Sequence, residues 1–262
     1  MQVPDDQQLP RNVWSGIMDC GLPDFTSQGT AGHSSRSVQN GEVTEIVFPQ
    51  SGELRARKIV SRSSSRAKGK YPSWKMNRMI QWESENELKA FRLLDCDPEV
   101  SRFNEQPCEI LYVLDGQTKR HCPDILVERS GGQKELLKVK PDSKALEPEV
   151  ATRTALLIKS LPIWGYSYRI VLATDLATQP RERNAFFLLG FGRRTATDCE
   201  RELIRRSINQ RGSLVWSDAC RGEYGPRGRE TLCSLVLRGV LAIDMDLPIS
   251  PDTRFGARKG EF

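Results

Sequence analysis

Residues 121–142 read HCPDILVERSGGQKELLKVKPD, and this stretch decides the fold class. Asp124 follows a proline and opens an apolar run, and a glycine pair at 131–132 separates that run from a second one ending in Lys138-Val-Lys140. Two such runs joined at a glycine turn predict a hairpin, which would place Asp124 beside the strand face that carries positions 138 and 140. Those two positions share one face, about 6.6 Å apart at roughly 3.3 Å per residue.

Asp124 and Lys140 have the side-chain chemistry that phosphodiester hydrolysis requires. Carboxylates hold a divalent ion, which lowers the pKa of bound water, and a nearby lysine stabilises charge on the attacked phosphate. Glu87 offers a second carboxylate, because its helical spacing from Ser84 and Phe91 directs it along a buried face, where a carboxylate needs a partner. The alternative is that Glu87 belongs to a solvated face and that Pro-Asp is an ordinary turn.

The composition is that expected of a soluble, intracellular protein. The chain has 262 residues, 28% of them charged and 38% hydrophobic, and we expect two domains with no membrane span and no leader. Its seven cysteines are an odd number without a CxxC pair, which predicts neither a disulfide framework nor a zinc ribbon. The net charge of +5 is modest, so its distribution says more than its size.

The periodicity of apolar residues predicts an α/β unit followed by helices. We predict, in chain order, a helix at 83–94, strands at 110–114, 125–127 and 135–140, a helix at 147–161 and a strand at 168–173. After about residue 179 we predict helices at 182–190, 197–210 and 228–238, followed by an apolar run at 240–243. Three short helices and a terminal hairpin are typical of a winged-helix module.

The segment before the first predicted helix is basic. Residues 1–53 are predicted to be irregular, and residues 54–82 carry nine Lys or Arg and no acid, with aromatic residues between them. This pattern is typical of a phosphate-binding strip, although a solvated basic linker would have the same composition. The predicted DNA contacts are Arg62, Arg66, Lys68, Lys70, Lys75 and Arg78.

Several short motifs occur in a specific order along the chain. They are W-x-S-x-x-E-L-x-x-F at 82–91, Asp97-Pro98 with Val100, Glu105-Gln106-Pro107, Pro123-Asp124-Ile125-Leu126-Val127 and Val139-Lys140-Pro141. Together they resemble the endonuclease domain of TnsA, the nicking subunit of heteromeric cut-and-paste transposases, including those of CRISPR-associated transposons. The resemblance covers about residues 70–173, and the tail RGVLAIDMDLPIS at 238–250 resembles the family's C-terminal winged-helix domain.

The resemblance implies a fold and a set of site residues. The expected fold is a restriction-endonuclease-like PD-(D/E)xK nuclease core at 70–178, preceded by an arm at 1–69 and followed by a winged-helix-like domain at 179–262. The implied catalytic residues are Glu87, Asp124 and Lys140, of which Glu87 and Asp124 would hold Mg²⁺, with Mn²⁺ as an alternative ion.

Two polar neighbours of these motifs are expected to have structural roles. Gln106, in the Glu-Gln-Pro signature, is expected to hydrogen-bond strand backbone. His121 precedes Pro-Asp and is interpreted as a satisfied polar residue, with metal ligation as the alternative.

Lys138 departs from the family pattern, which has Glu or Gln at this position to complete the metal site. Glu135, three residues earlier, lies on the opposite strand face and cannot easily replace it. We predict that the Lys138 ammonium lies between Glu87 and Asp124 in the space of the metal; alternatively it reaches outward or loses its proton.

The function implied by the resemblance is a metal-dependent DNA endonuclease subunit that nicks the 5′ transposon ends. Its implied partners are transposon-end DNA, a DDE transposase subunit (TnsB-like) and an AAA+ regulator (TnsC-like), in the cytoplasm of a prokaryote and at the nucleoid when DNA-bound. The alternative is a silent nuclease-fold scaffold that binds end DNA and bridges the two partner proteins. A restriction-type or repair nuclease acting alone is a third hypothesis, against which the C-terminal helical module argues.

Overall fold

The computed structural model describes residues 41–50, 55–56, 68–258 and 260. The strands are β1 Glu42–Val47, β2 Gly69–Ser73, β3 Arg78–Trp82, β4 Val100–Glu105, β5 Glu109–Leu114, β6 Gln117–His121, β7 Ile125–Arg129, β8 Lys134–Lys140, β9 Ser167–Leu172, β10 Leu214–Val215, β11 Leu241–Ala242 and β12 Arg254–Ala257. The helices are α1 Glu85–Cys96, α2 Asp142–Ala145, α3 Pro148–Ser160, α4 Ala173–Leu176, α5 Arg181–Gly192, α6 Asp198–Arg211, α7 Trp216–Cys220 and α8 Gly228–Leu237, with a 3-10 turn at Leu161–Trp164.

A four-stranded sheet in the order β4-β7-β8-β9 forms the centre of the N-terminal α/β region. The predicted hairpin is confirmed: β7 and β8 pair antiparallel, with Ile125 opposite Leu137, around the turn that contains Gly132 at φ +81°. Strand β9 then pairs parallel to β8, and α3 forms the crossover between them. A second sheet, β1-β5-β6, and the β2-β3 hairpin complete this region.

The central sheet packs on both faces, which explains the continuous apolar start of β7, Ile125 to Val127. Side chains alternate along each strand, so Ile125 and Val127 pack in the cluster that contains Phe91 of α1. Leu126 faces the other way and packs in the cluster that contains Leu157 of α3. The sheet therefore lies between α1 and α3, as expected for an α/β nuclease fold.

The prediction of an irregular arm is wrong for residues 42–47, which form β1 and pair antiparallel with β5. Val43 is 7% exposed and packs with Tyr112, and the partly buried Ile46 packs against the same cluster, so two apolar residues anchor this strand. The partner strand lies more than sixty residues later, which is why local composition did not indicate pairing. The predicted contacts Arg62 and Arg66 lie outside the described residues.

The C-terminal part contains α5 to α8 and a small sheet in the order β10-β12-β11. This sheet brings β12, the last strand of the described chain, between the two earlier ones. Helix α5 packs against both α1 and α8, and the thiol of Cys96 donates to the Ala185 carbonyl at 3.4 Å. The regions predicted as separate domains on either side of residue 179 therefore share one hydrophobic core.

None of the helices in the described part of the chain has the length and apolar character needed to span a bilayer.

Candidate active site

Asp124 lies at the entrance to β7 and is held by the hairpin. Its backbone N–H donates to the Leu137 carbonyl at 2.8 Å, and its Oδ2 accepts from the Val139 N–H at 2.8 Å. The residue is 8% exposed. Burial raises the pKa of Asp124, while the Lys138 ammonium and the Val139 N–H oppose that shift.

The Lys138 ammonium binds the other oxygen of the Asp124 carboxylate. Its Nζ donates to Asp124 Oδ1 at 2.7 Å and to the Cys122 carbonyl at 3.0 Å. The Lys138 side chain is 22% exposed and that of Asp124 is 11% exposed, so solvent screens this ion pair only weakly. Both Asp124 oxygens are thus engaged by groups of the β7–β8 hairpin.

Glu87 lies in the first turn of α1, where Ser84 is the N-cap residue. The Glu87 carboxylate accepts from the Glu83 N–H at 2.9 Å through Oε2 and from the Ser84 hydroxyl at 3.2 Å through Oε1. This arrangement resembles a capping box, in which a Glu three residues after the cap bonds back to the helix start. Burial, followed by the nearby charge of Asp124, raises the pKa of Glu87 to about 7.

We predicted that Lys138 lies between Glu87 and Asp124. Its ammonium does contact Asp124, but among the described residues it forms no ion pair with Glu87. In the described residues, the ion pair of Lys138 is with Asp124, and both oxygens of Glu87 accept from groups at the start of α1. The two carboxylates are close enough for the charge of Asp124 to raise the pKa of Glu87.

Gln106 connects the start of α1 to β7 in a way that the sequence did not indicate. Its side-chain Nε2 donates to Glu83 Oε2 at 3.1 Å, whereas we expected a bond to strand backbone. Its backbone N–H does bond to strand backbone, donating to the Asp124 carbonyl at 2.7 Å. Gln106 thus holds the segment that carries Glu87 beside the segment that carries Asp124.

Two further cations lie at the site, and one of them was not predicted. Lys140 is half-buried on the same strand face as Lys138, and burial, with Lys138 and Arg153 nearby, lowers its pKa. Arg153 comes from α3 and is also half-buried. The sequence did contain a signal for it, because Arg153 stands three residues from Val150 and from Leu156, both of which α3 buries.

His121 is satisfied within the protein, as interpreted from the sequence. The Tyr168 hydroxyl lies 2.9 Å from its Nε2, and the imidazole is 6% exposed. Burial, followed by the charge of Lys138, lowers the pKa of His121 to about 3, so the ring is neutral at physiological pH.

The side chains as placed do not fit Mg²⁺, which requires near-octahedral oxygen coordination. Glu87 and Asp124 supply two carboxylates, but the oxygens of both already accept hydrogen bonds. The Lys138 ammonium stands where a third metal ligand would be expected. Across residues 41–50, 55–56 and 68–258, no cluster of three or more His, Cys, Asp or Glu side chains is arranged to hold a metal. Displacing Lys138 would be the first requirement for a metal site here.

Lys75 and Arg78, both predicted to contact DNA, have intramolecular partners. Lys75 Nζ donates to the carbonyls of Leu94 and Asp97 at 2.9 and 2.6 Å, which satisfies the C-terminal end of α1. Arg78 forms a two-point ion pair with Glu105, at 2.9 and 2.5 Å.

Two other predicted contacts remain nearer the surface. Lys70 is exposed, and Lys68 is half-buried and lies 3.7 Å from Glu83. These two stay predictions as DNA contacts.

The fold and the site define a class: a mixed α/β nuclease fold in which a Pro-Asp strand start faces a Lys-x-Lys strand end. Residues 97–164, which are 68 of the 262, match the family described as TnsA-like endonuclease N terminal. The match confirms the resemblance seen in the motifs, and it includes Asp124, Lys138 and Lys140, whereas Glu87 lies just before it. This segment of the chain is therefore similar to a TnsA-like endonuclease domain. No curated protein matches the sequence.

Proposed function

We propose that this chain is a subunit of a heteromeric transposase that binds transposon-end DNA and bridges a DDE transposase (TnsB-like) to an AAA+ regulator (TnsC-like), with its nuclease centre closed. The observation that carries the proposal is the Lys138–Asp124 ion pair at 2.7 Å. Relative to a carboxylate, an ammonium at position 138 changes the local charge by two units. At about 4 Å and an effective dielectric near 20, each unit is worth on the order of 4 kcal/mol, which is more than a weak Mg²⁺ site can absorb.

The C-terminal part supports a role in protein contacts. The order α6, β10, α7, α8, β11, β12, with β12 central in its sheet, supports our assignment of this part as a winged-helix-like module. The third helix of such a module often enters the major groove of DNA. Here that helix is α8, and it is buried at Gly228 and from Thr231 to Leu237, against α5. We therefore assign this module to docking rather than to reading DNA.

A reconstituted transposition reaction with partners from the same element tests this proposal. If the centre is closed, Asp124→Asn should support the same product yield as the unaltered chain, while omission of the chain should abolish product. A loss of product with Asp124→Asn, at unchanged DNA and partner binding, would contradict the closed-centre assignment.

The second candidate function is the nicking endonuclease itself, cutting at the 5′ transposon ends with Mg²⁺ or Mn²⁺. It is favoured by the retained pair of carboxylates and by Lys140, for which the described residues provide no hydrogen bond or ion pair. It requires Lys138 to leave Asp124 when partners or DNA bind. Nicking of supercoiled DNA that contains the transposon end, with and without partner proteins, tests this candidate.

A further inference from the structure

The positive charge at the nuclease centre exceeds what the Lys138–Asp124 pair uses. Asp124 is neutralised by Lys138 at 2.7 Å, and the Lys140 ammonium lies two residues further along the same strand face. Neither Lys140 nor Arg153 forms a hydrogen bond or an ion pair with any residue that the structure describes. The carboxylates that act on Lys140 are Asp124 and Glu147, and Glu147 is exposed.

Arg153 is placed to bind something that the described protein does not supply. It projects from α3 on the side that buries Val150 and Leu156, and its Nε is buried without a hydrogen-bond partner among the described residues. A buried guanidinium N–H left unsatisfied is costly, and natural proteins rarely leave one.

Leu157 of α3 packs with Leu136 of β8. Leu136 shares its strand face with Lys138 and Lys140. Helix α3 therefore lies over the sheet face that carries both lysines. Burial lowers the pKa of Lys140, and the nearby charge of Arg153 contributes to that shift.

We propose that Lys140 and Arg153 together hold a phosphate of the DNA backbone at the nuclease centre without a divalent ion. The chemistry of the two groups is complementary, because guanidinium presents a planar fork to phosphate oxygens and ammonium acts as a compact point charge. The Lys138 ammonium beside them removes the negative charge of Asp124 that would otherwise repel an anion. The inference rests on the proposed DNA-binding function. The role of the closed centre would then be to bind DNA that it does not cut.

Salt-dependent binding to an end-DNA duplex, in EDTA and in Mg²⁺, tests the inference. The unaltered chain should bind equally well in both. Lys140→Ala and Arg153→Ala should each weaken binding roughly tenfold, the equivalent of one hydrogen bond to a charged group, and should each reduce the slope of log affinity against log salt by about 0.9. Lys159→Ala, at an exposed position of the same helix, is the matched control and should change neither quantity.

Arg153→Lys controls for misfolding of Arg153→Ala, because it keeps the positive charge and removes only the planar guanidinium. Relative to Arg153→Ala, it should restore the salt slope but only part of the DNA affinity. An unchanged slope in both alanine variants would overturn the inference while leaving the proposed function standing. A requirement for Mg²⁺ in the unaltered chain would overturn the inference together with the closed centre. Thermal stabilisation by inorganic phosphate that Arg153→Ala abolishes, with DNA affinity unchanged, would mark a free-anion site and overturn the DNA assignment. Absence of any DNA binding would overturn the proposed function together with this inference.

Discussion

The Lys138 ammonium lies 2.7 Å from Asp124 Oδ1, at the position where a TnsA-like nuclease is expected to have a metal-binding side chain. The same ammonium donates to the Cys122 carbonyl, so two contacts hold it in the site. Separating a buried ion pair by removing one partner costs about 3–5 kcal/mol. The β7–β8 hairpin, which the resemblance leads us to expect to present a metal ligand, here presents a cation paired with Asp124, the aspartate that we predict to be catalytic.

Glu87→Gln should change how stability depends on pH. The Glu87 carboxyl ionises near pH 4.5 in the unfolded chain and near 7 in the folded one, so stability present below pH 4.5 is lost as the pH rises through 7. Gln cannot ionise, so the free energy of unfolding of the variant should rise relative to that of the unaltered chain between pH 4.5 and 7.5. The gain is about 3 kcal/mol at most, from 1.36 kcal/mol per pKa unit. Urea unfolding at several pH values measures it.

The control for this prediction is Glu85→Gln, an exposed residue in the same helical turn, which should follow the pH dependence of the unaltered chain. A constant stability difference between Glu87→Gln and the unaltered chain across this pH range would show that Glu87 ionises normally.

Arg78→Ala should unfold the protein more readily and not simply weaken DNA binding. It removes the two-point partner of Glu105, which is 1% exposed and, among the described residues, keeps only Arg55 at 3.7 Å and the Gln81 N–H at 3.3 Å. Losing hydrogen bonds to a buried charged group costs about 1.5–3 kcal/mol. Lys70→Ala removes an exposed cation and should change stability by less than about 0.5 kcal/mol while lowering DNA affinity. Urea midpoints and salt titrations of DNA binding separate the two effects. Equal stabilities of the two variants would indicate that Arg78 does not stabilise the fold and is free to contact DNA.

The partners of the cations in the basic segment could not be predicted from the sequence. Charge density alone predicted DNA contacts at Lys75 and Arg78, but their partners are carbonyls at the end of α1 and a carboxylate at the end of β4. Those groups lie about twenty residues or more away along the chain and meet the cations only through the packing of the β2–β3 hairpin on α1 and β4. Local sequence cannot distinguish a cation that binds phosphate from one that satisfies a helix end.

The β7–β8 hairpin shows the opposite case. Its apolar runs, glycine turn and alternating side chains are local features, so the positions of Asp124, Lys138 and Lys140 relative to one another could be predicted. The spacing of Arg153 from Val150 and Leu156 indicates that it lies on the buried side of its helix, but not that it reaches this site, because α3 is brought there by the parallel β8–β9 crossover.

Gly192→Ala should destabilise the contact between α5 and α8. A Cβ at this position would lie 2.6 Å from the Cys233 backbone carbon, and backbone cannot move aside as a side chain can. We expect a loss of about 1–3 kcal/mol, as for other overpacked cores. Gly190→Ala is the matched control, because a Cβ there meets nothing within 4 Å, and it should stabilise the helix by about 0.5–1 kcal/mol. Thermal melts that rank the two variants the other way would contradict the close approach of these helices.

A fragment that begins at residue 179 should not fold cooperatively by itself. Helix α5 buries Ala185, Leu188 and Leu189 in a core shared with Phe91 and Leu94 of α1, and the fragment would expose that surface. We expect poor dispersion in its NMR spectrum and dye binding typical of exposed apolar surface. A dispersed spectrum with a single sharp unfolding transition would show that the C-terminal part is an independent domain.

The most direct test of the closed centre compares the unaltered chain with Lys138→Glu and Lys138→Gln in nicking supercoiled DNA at low millimolar Mg²⁺, with partner proteins present. Removing the ammonium frees Asp124 Oδ1 and supplies an acceptor oxygen in its place. We predict that both variants nick faster than the unaltered chain and bind Mg²⁺ more tightly, with the double variant Lys138→Glu, Asp124→Asn as the inactive control. Nicking by the unaltered chain at the rate of Lys138→Glu would show that Lys138 leaves the site and that the centre is not closed.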